Sequence, residues 1–168
     1  MNQTELMEDD LYDEDEDTLS GRYLTFHLGD EDYGIEIRYV TEIVGVQKIT
    51  EVPDMPEFVM GVINLRGQVI PIIDVRLRFN MPLRDYDDRT CVIVVNINGN
   101  VVGLIVDTVQ EVREIRPENV SPVPKLGRSE KARYILGIGK VGDEVKILLD
   151  VGRLLREEEI VALQDNEM

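Results

Sequence analysis

Two stretches of this chain, GVINLRGQVIPIIDV at 61–75 and GIGKVGDEVKILLDV at 137–151, align without a gap. Gly61 meets Gly137, Leu65 meets Val141, Val69 meets Val145, and Asp74-Val75 meets Asp150-Val151. Each stretch reads as a strand, a tight turn and a returning strand, closed by an aspartate placed as a helix cap. A second pair, GIEIRYVTEI (34–43) and GLIVDTVQEV (103–112), aligns in the same order, with Gly34 on Gly103, Val40 on Val109 and Glu42 on Glu111. A chain that writes one β unit twice is expected to fold it twice. The repeat predicts an all-β body of two small barrels related by a pseudo-two-fold axis, in preference to a single sandwich.

The rest of the pattern agrees. Leu24, Phe26 and Leu28 alternate with polar neighbours, and Tyr33, Ile35 and Ile37 share a face after a turn at Gly29 to Asp32. The runs CVIVVNI (91–97) and NVVGLIV (100–106) flank Asn98-Gly99, a strong hairpin signal because both turn positions need positive φ. Gly142-Asp143 separates Tyr134–Val141 from Glu144–Leu149 in the same way, and Ile49–Val52 is a further strand candidate. Helical pattern is weak until a short C-terminal helix expected from near Asp150.

Composition narrows the function. Nine carboxylates and no base lie within residues 1–19, more than half of the formal net charge of −16. That stretch reads as a disordered acidic tail, since like-charge blocks without apolar anchors bury too little surface to fold. Its DEDED run is not an EF-hand, because a loop from Asp13 would need glycine at Thr18 and glutamate at Leu24. The charge balance argues against nucleic acid and against an anionic membrane surface, and no apolar run is long enough to span a bilayer. With neither a signal peptide nor paired cysteines, the expectation is a soluble cytoplasmic protein. The divisions expected are the tail at 1–19, a body at 20–160 with two lobes parting near 80–90, and a C-terminal tail at 161–168.

Catalytic chemistry is not legible. His27, the single histidine, falls on the polar side of a strand, and Cys91, the single cysteine, falls in an apolar run as a small core residue. One His and one Cys assemble no zinc set, no serine sits on a nucleophile elbow, and GxxxxGK[ST] is missing. Asp74 and Asp150 read as twin helix caps. The expectation is no enzyme and no cofactor.

What turn chemistry leaves over is Arg66. Where the first copy has Asn64-Leu65-Arg66-Gly67, the second has Lys140-Val141-Gly142-Asp143, so the hairpin can be made without Asn64 or Arg66. A surface arginine present for solubility is the plain alternative to a binding role.

The run at 61–76, with GDEDYGIEIRYVTEI (29–43), VVGLIVDTVQEV (101–112) and the segment Tyr134–Leu155, resembles the CheW family of chemotaxis coupling proteins. The likeness covers about residues 22–160, and its most specific element is NLRG-x-x-x-P-x-x-D. It implies two intertwined five-stranded barrels of the SH3-like kind and a non-enzymatic adaptor. The partners it implies are the regulatory domain of the histidine kinase CheA and the cytoplasmic tips of methyl-accepting chemoreceptors. It further implies a monomer in isolation that joins a receptor array in the cell. Carried over residue by residue, it assigns partner binding to Arg66 and Glu42, with Val40 beside Glu42 and Val112 in the second copy, and gives Gly61 the close approach of the kinase. A receptor hairpin is then expected in a groove between the barrels, with Arg66 as a multi-donor anchor held by Glu42. The acidic tail is outside the family pattern. The output served, swimming or another behaviour such as surface motility, is not written in the sequence.

Overall fold

The computed structural model describes residues 19–123 and 130–155. The chain runs β1 (Arg22–Leu28), β2 (Glu31–Glu36), β3 (Val40–Gly45), β4 (Val59–Leu65), β5 (Gln68–Asp74) and then a helical turn, Val75–Arg78. After a loop follow β6 (Cys91–Ile97), β7 (Asn100–Val106), β8 (Thr108–Glu114), the two-residue β9 (Val120–Ser121), β10 (Ile135–Val141), β11 (Glu144–Leu149) and a second helical turn, Val151–Leu155. Two sheets result, in the orders β8-β1-β2-β11-β10-β9 and β3-β6-β7-β5-β4. The expected strand at Ile49–Val52 is reduced to one bridge, Thr50 to Val62, which stands where β9 pairs with β10 in the other sheet. The acidic tail, apart from Leu19, and the C-terminal tail lie outside the described residues.

The strand orders show how the copies are joined. In the first sheet the opening hairpin of the first copy, β1-β2, receives β8, β10 and β11 from the second copy. In the second sheet the opening hairpin of the second copy, β6-β7, receives β3, β4 and β5 from the first. Both exchanges are sealed by a short parallel seam, Leu148 beside Gly34 and Ile72 beside Gly103. A Cβ on Gly103 would lie 2.5 Å from Ile72 Cδ1 and 2.7 Å from Val92 Cγ1, so glycine permits that approach. The barrels are intertwined, and the stretch near 80–90 divides two sequence copies rather than two barrels.

The largest core fills the space between the sheets. Leu24, Phe26, Tyr33 and Ile35 from one meet Ile73, Ile93, Val95 and Leu104 from the other, all at most 2% exposed. Rings of Phe26, Tyr33, Phe79 and Tyr134 follow one another at 5.8 Å centroid spacing. Packed side chains occupy this seam along its interior.

Both aspartate caps form. Asp74 Oδ1 accepts from the backbone N–H of Arg76 at 2.9 Å, and Asp150 Oδ1 from that of Arg153 at 3.1 Å. The barrels are also tied by Asp107, which accepts from Arg76 through both oxygens (2.7 and 2.6 Å) and from the backbone N–H of Gly29 at 2.8 Å. Burial pushes the Asp107 carboxyl up, but these hydrogen bonds and the charges of Arg76 and Arg84 outweigh it and hold it below its ordinary value.

Candidate functional site

The hairpin β4-β5 turns through Arg66 (φ 53°) and Gly67 (φ 88°), both left-handed, as Asn98 (φ 52°) and Gly99 (φ 87°) do between β6 and β7. The residue two before each of these turns supports it: Asn64 Oδ1 accepts from Gly67 N–H at 2.8 Å, and Asn96 Oδ1 from Gly99 N–H at 3.0 Å. Asn64 is therefore explained by turn chemistry, contrary to the reading from the repeat alone. Arg66 is not. It occupies a position where a non-glycine residue is strained by about 1–2 kcal/mol, and where the second copy places Gly142 at φ 60°.

Its partner arrives from the opposite edge of the sheet. In β3 the register with β6 slips between Val40 and Glu42, leaving Thr41 as the extra residue, and Thr41 Oγ1 donates to the Val94 carbonyl at 3.1 Å. A bulge of this kind bends the strand and re-aims the next side chain. Glu42 thereby reaches the β4-β5 turn and accepts from the Arg66 guanidinium. The Arg66 side chain is 68% exposed and that of Glu42 30%. The pair is pre-positioned yet open to solvent, so it contributes little to stability, about 0–1 kcal/mol, and remains available to a partner.

The other barrel repeats the bulge but not the pair. There Thr25 donates to the Glu111 carbonyl at 2.8 Å, Glu111 pairs with Arg113, and the turn carries Gly142-Asp143. The bulge belongs to the fold, and the arginine is added to one copy.

The remaining expected site residues are spread. Val40 is half-buried against the main core, so it supports β3 more than it faces solvent. Val112 is exposed, but on β8 in the other sheet, where its counterpart by register is Ile43 rather than Val40. Ile43, adjacent to Glu42 and 42% exposed, was not singled out from sequence; its alignment with Val112 was the available signal. Gly61, at φ 140°, is approached by this chain itself: a Cβ there would lie 2.1 Å from the Thr50 carbonyl oxygen. Thr50 and Val62 exchange backbone hydrogen bonds of 2.8 and 2.9 Å across that contact, which closes the barrel.

His27 lies at the surface as expected, with Asp32 at 2.5 Å and Gln110 at 2.8 Å. Cys91 is half-buried and packs against the main core. Among the described residues no group of three or more His, Cys, Asp or Glu is arranged to hold a metal ion, and no helix is long and apolar enough to cross a membrane.

A pair of exchanged barrels with an exposed, bulge-oriented ion pair at one turn has the form of a docking module. The family model of the CheW-like domain matches residues 22–159, and the chain belongs to that family of non-enzymatic chemotaxis scaffolds. Chemotaxis protein CheW of Klebsiella aerogenes is 41% identical over 89% of this chain and 90% of its own length. That of Helicobacter pylori is 34% identical over 82% of each chain. The crystal structure of the scaffolding protein TtCheW from Thermoanaerobacter tengcongensis superposes with a TM-score of 0.75 and 36% identity, over 83% of this chain and 94% of that one.

Proposed function

We propose that this chain is the adaptor that couples a CheA-type histidine kinase to the cytoplasmic tips of methyl-accepting chemoreceptors. The observation that carries this reading is Arg66, an exposed arginine kept in a strained turn position and oriented by a glutamate from across the barrel. An oriented guanidinium loses little freedom on meeting a partner, and arginine is over-represented among residues that dominate interfaces. Ile43 extends the patch beside Glu42, Val40 backs it from the core, and Val112 offers a second apolar contact on the other barrel. Gly61 serves the patch by letting the barrel close under it. In this reading the protein works in the cytoplasm, held at the membrane only through its partners, and is a monomer on its own.

The test is co-sedimentation with a CheA-type kinase and receptor-bearing membranes. The wild type should pellet with both and Arg66→Ala with less of one or both. Equal recovery of the variant with both partners would remove Arg66 from the site. Likeness to Protein FrzA of Myxococcus xanthus, 30% identical over 80% of this chain, favours a second reading, a scaffold in a chemosensory pathway with another output. Exchanging the receptor fragment in the same assay separates the two.

A further inference from the structure

The two barrels fill their interiors differently. In the β3-β6-β7-β5-β4 barrel, Val92 and Ile105 are 1% and 2% exposed and pack among Ile63, Leu65, Ile70, Ile72 and Val94. By the alignment of the copies, Tyr23 and Glu36 take the places of Val92 and Ile105 in the other barrel, whose own small core holds Tyr23, Ile115 and Leu148 with Val120 and Val141 partly buried against them. Two apolar plugs have become a phenol and a carboxylate. An open groove of about 430 Å³ lies at that place, its lining including Tyr23, Glu36, Glu114, Ile115, Arg116, Pro117 and Val120.

Tyr23 marks the groove as more than a surface dent. The residue is 8% exposed overall, and its hydroxyl, without a hydrogen-bond partner among the described residues, is not sealed from solvent but opens on the groove. Burial, and then the nearby Glu36 charge, raise its pKa against the opposing effect of Arg38, so the hydroxyl stays neutral and can accept a hydrogen bond. Around it the acids are only partly used. Arg38 holds one oxygen of Glu36 at 2.7 Å, whereas Glu114 makes no ion pair among the described residues. Arg116, the base on the rim, is 71% exposed and has Glu118 at 4.0 Å.

We infer that this groove is a second docking site, one that takes an arginine side chain from a partner polypeptide. The guanidinium donates to Glu114, to the free oxygen of Glu36 and to the Tyr23 hydroxyl, while its three-carbon stem lies along Ile115, Pro117 and Val120. The site is on the opposite barrel from Arg66 and does not depend on the function proposed for that residue.

The test is an amide-shift titration of the full chain by NMR with N-acetyl-arginine methylamide. Saturable shifts centred on Gly21, Tyr23, Glu36 and Glu114 are expected. Tyr23→Phe should weaken binding at least fivefold and Glu114→Gln at least tenfold, with Glu57→Gln, an exposed acid elsewhere, unchanged. Shifts spread over the acidic surface without saturation, or equal binding of the glutamine analogue, would overturn the inference.

Discussion

Arg78 and Leu154 hold the same position in the two copies, and the Nε of the first donates to the carbonyl of the second at 2.9 Å. The pseudo-symmetric partners thus touch each other, next to the axis that relates the halves. Arg78 is 8% exposed and lies over the rings of Phe58 and Tyr134, at 3.9 and 5.1 Å from their centroids. Truncating it removes packing, two ring contacts and the bond to a helix-end carbonyl together. Arg78→Ala should cost about 3 kcal/mol, a fall in Tm of roughly 6–12 °C, checked by thermal unfolding.

Arg66→Gly separates binding from stability. Glycine relieves the left-handed strain but loses the exposed pair with Glu42 and loosens the unfolded chain. Urea unfolding should show stability unchanged or raised by up to about 1 kcal/mol, while affinity for kinase or receptor falls by about 1–3 kcal/mol. A matching loss of stability would make the residue structural.

Gly61→Ala should behave in the opposite way. The added methyl would meet the Thr50 carbonyl at 2.1 Å on a backbone at φ 140°. Barrel closure must give, at a cost of about 3 kcal/mol or more, so any loss of partner binding should come with an earlier unfolding midpoint.

Asp107→Asn tests the tie between barrels and its pH dependence. The folded carboxyl, held below its ordinary value, binds its proton at lower pH than in the unfolded chain. Its contribution is therefore complete above the unfolded pKa of about 3.9 and disappears as pH falls through the folded value. Urea midpoints should place the variant about 3 kcal/mol below wild type at pH 7, with the gap narrowing at pH 3.

Much of this was legible in the sequence because it is local. Asn98-Gly99 gives its hairpin, and the aligned aspartates give their caps, from a few neighbouring residues each. The role of Asn64 was also available, since Asn96 stands at the same place before Asn98-Gly99, but the second copy with Lys140 concealed it. Glu42 as partner of Arg66 was legible only through the family resemblance, because the residues lie on strands at opposite edges of a sheet and meet only when the barrel closes. Strand exchange left no local mark, because a repeat reads the same whether each copy keeps its strands or trades them. The groove beside Tyr23 was written as a mismatch between copies, phenol against valine and carboxylate against isoleucine, which matters only once those positions are seen to face an interior.

The traded strands also order events during synthesis. The barrel built on β6-β7 has all its parts once Val106 has left the ribosome, whereas the one built on β1-β2 waits for Leu149. At about 5–20 residues per second the earliest hairpin to emerge is the last to be housed, with the edge of β2 unmatched for several seconds. A nascent chain of this design is most vulnerable to aggregation or protease at its oldest strands, and a truncation late in the message should destroy the barrel nearest the start.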